Sequence, residues 1–167
     1  MARLDSVALP SFGIEPKLPE IPLAEYRARL EALVAALPAE GLDVLAVYAD
    51  REHSANLAFL TGFDPRFEEA LLLLDAKGKR LLLVGNECMG YLPDAGLGLE
   101  VLRFQEFSLM GQSRAETPPL RRVLADFGIT RGSRIGTVGW KYFESEVVGD
   151  PARAIEIPGY LDRKSVV

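Results

Sequence analysis

Between Leu23 and Leu37, apolar residues return every three or four positions: Leu23, Tyr26, Leu30, Leu33, Val34 and Leu37. That spacing draws one apolar stripe along a helix. Pro22 suits a first-turn position, Glu25 lies near the positive helix start, and Pro38 with Gly41 end the run. The pattern then changes. Asp43 to Tyr48 reads as a strand, and two short, continuously apolar runs follow, Ala70–Leu74 and Leu81–Val84. Between them, Asp75-Ala76-Lys77-Gly78-Lys79 carries the glycine and polar residues of a hairpin loop. Runs without polar alternation mark strands covered on both faces. The hairpin therefore belongs near the centre of a sheet, with helices on each side.

Farther along, Asn86 is expected to cap a short helix reaching about Ala95, and Leu99–Phe104 to form a strand. Residues 107–116 read as a loop. Thr117 is expected as an N-cap with Pro118 and Pro119 in or near the first turn. Leu120, Val123, Leu124 and Phe127 then fall at i, i+3, i+4 and i+7, and Gly128 takes the position just past the helix end. Arg134–Trp140 is the next strand; Gly136 and Gly139 inside it imply close approach by a neighbour. Tyr142–Val148 is expected as a short helix and Ala154–Ile157 as a last strand, with no core left for the remainder to build. Ahead of all this, Pro10, Pro16, Pro19 and Pro22 make residues 1–22 an extended arm. Val7, Leu9, Phe12 and Ile14 are suited to pin that arm to a surface groove. The alternation of helix, strand and hairpin is an α/β pattern, read as one domain over 23–160 between the arm, 1–22, and a tail, 161–167.

Composition narrows the function classes. A chain of 167 residues with 49% hydrophobic and 26% charged residues suits one soluble globular domain. A net charge of −5 argues against nucleic-acid binding, which needs a basic face. The basic pairs Arg121-Arg122 and Arg131 to Arg134 read as a solvated helix end and turn. The single cysteine, Cys88, allows no internal disulfide and no cysteine-spaced zinc site. Neither a signal peptide nor an apolar run of membrane-spanning length is legible. A cytoplasmic protein with no membrane partner is expected.

One stretch carries a family resemblance. His53-Ser54-Ala55-Asn56-Leu57-Ala58-Phe59-Leu60-Thr61-Gly62-Phe63, followed by acidic residues and a Leu-rich strand, resembles the N-terminal domain of the creatinase, prolidase and Xaa-Pro aminopeptidase family. That family's pattern is a basic residue, an Asn, then an aromatic-Leu-Thr-Gly-Phe corner; Phe59 stands here where Tyr is commoner. Gly128-Ile129, a basic turn, then Arg134-Ile135-Gly136 resembles a later part of the same domain, so that the likeness covers about 24–160. It implies a three-layer α/β sandwich, a mixed central sheet flanked by helices in a ribonuclease H-like arrangement. It also implies a homodimer, with Phe and Leu residues of the arm as contacts.

In full-length relatives, catalysis belongs to a second domain. There two divalent metal ions (Mn, Co or Zn) are held by two Asp, one His and two Glu, and further His residues assist the peptide chemistry. A chain with one His cannot supply that set, so no peptidase activity and no metal site are expected of this polypeptide alone. The resemblance instead implies a non-catalytic domain that makes subunit contacts and limits the cleft to short peptides. Arg51 and His53 are the candidate substrate-binding residues, offering charge or a hydrogen bond to the carboxylate or carbonyl of a short Xaa-Pro peptide. Asn56 and Thr61 are expected to lock the corner through local backbone hydrogen bonds, with Gly62 completing it and Phe59 and Phe63 in the core. Trp140 and Tyr142 are read as packing residues.

Other chemistry is poorly supported. Ser54 is badly placed to be a nucleophile for adjacent His53, and a lone Cys88 is more often a small buried hydrophobe than a nucleophile. No phosphate-loop motif occurs. Asp43, Asp50, Glu69 and Asp75 are conceivable as a ribonuclease H-like carboxylate cluster, although a fold is not a site. Two further readings remain open: a free-standing binding or assembly module derived from this domain, and an independent small enzyme using Cys88 and His53.

Overall fold

The computed structural model describes residues 4–11, 13, 20–139, 141–142, 155–156 and 158–162. Its centre is a five-stranded sheet built from β1 (Val44–Ala49), β2 (Ala70–Asp75), β3 (Arg80–Val84), β4 (Glu100–Arg103) and β5 (Ile135–Val138). The strands lie in the order β4-β3-β2-β1-β5. The Leu-rich hairpin thus supplies the middle of the sheet, and Leu71 to Leu74 are essentially sealed from solvent. Each such leucine contributes about 1.5–3 kcal/mol by leaving water.

Alternate residues of these strands serve two cores, because side chains of a strand point to opposite faces. Leu45, Val47, Leu72, Leu74, Leu82 and Val84 face α1 (Leu23–Ala36) and α2 (Ala55–Thr61). Val44, Ala46, Leu71, Leu73, Leu81 and Leu83 face α3 (Leu120–Phe127), through Val123 and Phe127. The result is the expected three-layer α/β sandwich with a mixed central sheet. β1 pairs antiparallel with β2 and β2 antiparallel with β3, whereas β1–β5 and β3–β4 are parallel. Four strands therefore run the same way and end on one edge of the sheet, and only β2 begins there.

Several local expectations need correction. Residues 86–97 form two 3-10 turns, Glu87–Gly90 and Ala95–Leu97, in place of one helix, and Asn86 makes no side-chain cap. Gly90 and Pro93 interrupt the run before an α-helix can propagate. Pro22 and Pro119, both extended, are the N-cap residues of α1 and α3. Thr117 is turned instead to the segment just after β4, where its hydroxyl accepts the N–H of Gln105. Gly128 does close α3, at φ 111°. Gly136 admits close approach: a Cβ there would lie 2.6 Å from Leu42 Cδ1. Within the arm, Leu4, Val7 and Leu9 are exposed, so these residues are pinned to no groove; Phe12 and Ile14 lie outside the described residues. Lys141–Tyr142 (β6) pairs with Ile155–Glu156 (β7) as a separate ribbon, so Tyr142 ends a strand instead of opening a helix. The rest of the expected 142–148 helix, and Trp140, lie outside the described residues. Past them, Gly159–Asp162 forms α4, whose Leu161 packs against the α3-side core. That segment was expected to have no core to join.

Candidate functional site

The edge where four strands end carries an open groove of about 350 Å³. Three segments line it. Asp50, Arg51 and Glu52 follow β1, Phe67 to Glu69 precede β2, and Phe107 to Met110 follow β4. The pairing of Ala49 with Ala70 brings the first two segments together. In open α/β sheets, ligands bind outside the carboxyl ends of the strands, and this groove occupies that place.

The turn after β1 is fastened by a single carboxylate oxygen. Asp50 Oδ1 accepts the backbone N–H groups of Glu52 at 2.9 Å and His53 at 2.8 Å, and lies 3.0 Å from His53 Nδ1. An ionised carboxylate only accepts, so the His53 Nδ1 carries its proton toward Asp50. Arg51, between these anchored residues, is exposed and has no hydrogen-bond or ion-pair partner among the described residues. Asp50 thus fastens the turn that carries both candidate substrate-binding residues, with Arg51 on the lip of the groove.

The opposite lip is the Asp64–Glu69 loop. Arg66 adopts φ 59°, the left-handed region that costs a non-glycine residue energy. Its N–H is held by Asp64 Oδ1 at 2.7 Å, and its guanidinium lies 5.3 Å from the Tyr91 ring centroid. On either side, Pro65 and Glu68 are buried, while Phe67 between them is 51% exposed. Cys88 and Tyr91 fasten this loop from beneath. The Tyr91 hydroxyl donates to Pro65 O at 3.0 Å, and the Cys88 thiol lies 3.5 Å from the same oxygen. Glu68 Oε2 accepts the Cys88 N–H at 3.0 Å. Gly85 leaves room for that carboxylate, since a Cβ there would sit 2.5 Å from Glu68 Oε2. Burial pushes the Cys88 thiol up to about 11, and burial likewise raises the Tyr91 phenol. Cys88 is therefore held as a neutral, enclosed thiol, which removes the physical basis for a nucleophilic role.

Glu69 forms the back wall. Its Oε2 accepts hydroxyls from Tyr48 at 2.7 Å and Tyr160 at 2.8 Å. Burial, then the charge of Glu69 and the neighbouring Tyr48, push the Tyr160 phenol well above its ordinary range.

The four carboxylates considered as a cluster fall at opposite ends of β1. Val44 pairs with Asp75 at one end and Ala49 with Ala70 at the other, a separation of about 20 Å for a strand of this length. Asp43 is taken by Arg134, whose side chain and backbone N–H bond to it and hold its carboxyl below the usual range. Asp75 Oδ1 caps its own hairpin turn through Lys77 N and Lys79 N. Only Asp50 and Glu69 reach the groove.

The corner following α2 is built as its residues suggest, with two exceptions. The Thr61 hydroxyl donates to Leu57 O at 2.7 Å and accepts the Phe63 N–H at 3.2 Å. Gly62 sits at φ 70°, with the Tyr26 ring 3.0 Å from where a Cβ would be. Phe63 is in the core. Phe59 is not: it is 57% exposed, with the Arg29 guanidinium 4.1 Å from its ring centroid. The helix turns this position away from buried Leu57 and Leu60. Asn56 is also exposed, and no hydrogen bond from its side chain occurs among the described residues.

Sequence reasoning did not single out Phe67, Glu68, Phe107, Met110 or Tyr160. The signal available for the first two was the hairpin itself. An antiparallel partner to β1 must begin where β1 ends, so residues just ahead of Ala70 must adjoin Asp50 and Arg51. Among the described residues, no group of three or more His, Cys, Asp or Glu side chains is arranged to hold a metal ion. No described helix is long and apolar enough to cross a membrane.

No family model matches the chain, and no curated protein matches it. Solved structures do. The N-terminal, creatinase/prolidase-like domain of a protein from Corynebacterium diphtheriae is 19% identical, with a TM-score of 0.42, and the match covers 80% of this chain and 94% of that one. An Xaa-Pro aminopeptidase structure from Streptococcus pyogenes is 16% identical over 69% of this chain and 92% of that one, with a TM-score of 0.42. A dipeptidase from Pyrococcus horikoshii is 20% identical with a TM-score of 0.46, and the match covers 72% of this chain but only 30% of the dipeptidase. At such identities and scores, the likenesses carry no residue role and no activity across to this chain.

Proposed function

We propose that this chain is the non-catalytic N-terminal domain of a creatinase- or prolidase-type Xaa-Pro metallopeptidase, shaping the mouth of a substrate cleft and contributing to subunit contacts. The observation that carries the reading is the Asp50-fastened turn, which sets exposed Arg51 on the lip of a groove at the strand ends. The Arg51 guanidinium is exposed and has no competing ion-pair partner among the described residues, so it suits recognition of a peptide carboxylate. The described residues do not fit a two-metal centre, so no hydrolytic step is assigned to them. Hydrolysis belongs to a metal-binding half outside this sequence, and the short peptide is met by Arg51 and His53 only when that half is in place. Dimerisation and a cytoplasmic location are part of the same proposal.

Two measurements test it. The purified chain with added Mn²⁺ is expected to release nothing from an Xaa-Pro dipeptide; turnover would overturn the non-catalytic assignment. In a polypeptide that carries this domain ahead of a metal-binding half, Arg51→Ala should raise KM for the dipeptide about tenfold with kcat little changed, the signature of lost uniform binding. An unaltered KM takes Arg51 out of the cleft.

A further inference from the structure

Among the described residues, the short helix α4 meets the rest of the domain through Tyr160 and Leu161. Leu161 lies against the α3-side core, the Tyr160 ring lies 6.2 Å from that of Phe107, and the Tyr160 hydroxyl donates to Glu69 Oε2. Glu69 and Phe107 both line the groove. They are also joined to each other, since the Glu69 N–H donates to Phe107 O at 3.3 Å. One carboxylate oxygen therefore ties β1, through Tyr48, to α4, through Tyr160, at the groove's back wall.

The two phenols are not equivalent. Tyr48 is a buried residue of β1, the strand flanked by β2 and β5, and cannot leave without breaking the sheet. Tyr160 is 42% exposed on a four-residue helix. Segments with few buried contacts open at low free energy, independently of global unfolding. Glu69 is itself only half-buried, so water or another donor can replace the Tyr160 hydroxyl without stranding a charge. Adjacent Glu68 offers the contrast: it is 3% exposed and bound to a backbone amide, and has no such exchange open to it.

We propose that α4 is a detachable latch on the groove wall. Closed, Tyr160 fills one of two donor places on the Glu69 oxygen and braces the Phe107 ring. Open, it gives that oxygen and that ring to the groove, which gains an acceptor and apolar surface. The latch thereby couples the path of the chain at α4 to what the groove can accept, whatever its ligand.

The test uses the full chain under native conditions. Chymotrypsin can cut after residue 160 only when that side chain has left Glu69, and Phe serves the protease as well as Tyr. Tyr160→Phe and Glu69→Gln should each speed cleavage of the 160–161 bond, followed by mass spectrometry. The expected gain for Tyr160→Phe is about tenfold, as the loss of one charge-assisted hydrogen bond implies. Amide exchange at 105–110 should rise in the same variants while exchange in β1 and β2 holds. Cleavage at the parent rate in Tyr160→Phe overturns the proposal. Faster cleavage with unchanged exchange at 105–110 overturns it equally, because the groove wall would then not feel the latch. Should Glu69→Gln fold poorly, Tyr160→Phe, which removes one hydroxyl, decides alone.

Discussion

Asp50 Oδ1 accepts the His53 N–H at 2.8 Å and also lies 3.0 Å from His53 Nδ1, so one oxygen holds both the backbone and the ring of the same residue. With Glu52 N–H as a third partner, this oxygen organises the turn after β1. Asp50→Ala leaves these donors to water and should cost about 1–2 kcal/mol, as removal of a capping side chain does. Asp50→Asn keeps an acceptor in place and should retain more than half of that stability. Urea unfolding of the two variants checks this; equal losses would mean the oxygen is not what fastens the turn.

The Thr61 hydroxyl both gives and takes a hydrogen bond in a buried corner. Thr61→Val preserves the shape but leaves the Phe63 N–H unpaired, a loss of about 1–3 kcal/mol. Thr61→Ser keeps both bonds and sheds only a methyl group, worth about 1 kcal/mol. Thermal melts that rank Ser below Val would refute the hydrogen-bonding account.

Gly85 makes space for the Glu68 carboxylate. Gly85→Ala places a Cβ 2.5 Å from Glu68 Oε2, so the carboxylate must move and give up the Cys88 N–H. The combined overpacking and lost bond should destabilise the fold by about 2–3 kcal/mol. In the Glu68→Gly background the same alanine should cost much less. Additive losses in that double-mutant comparison would show that the two residues do not meet.

The buried Cys88 thiol stands at about 11 in the folded chain against a reference of 9.0. Folding therefore favours the protonated thiol. The stability this contributes is complete below pH 9.0 and is drawn down as pH rises from there through about 11. Thiolate absorbance, taken as the difference between the parent chain and Cys88→Ser, should rise with a midpoint near 11 when folded and near 9.0 in urea. A folded-state midpoint equal to that in urea would mean that the thiol meets solvent.

Residue pattern by itself determined the five strands of the central sheet and the two long helices. Uninterrupted runs such as Leu71–Leu74 are stable only when covered on both faces, and the α1 stripe has one face to bury. Both are properties of neighbouring residues, so they are written locally. The Thr61–Gly62 corner was legible for the same reason, its bonds spanning four residues or fewer. The exposure of Phe59 was not, because the side that a short helix turns to the core depends on where the sheet lies beneath it.

Only the tertiary structure decided the groove. Strand direction and order bring Arg51, Phe67, Glu69 and Phe107 to one edge from three separate segments. The same arrangement parts Asp43 and Asp75 from Asp50 and Glu69 by the length of β1. Tyr160 reaches Glu69 across 91 positions. No local periodicity encodes that meeting, because it rests on which strand edge the returning chain crosses.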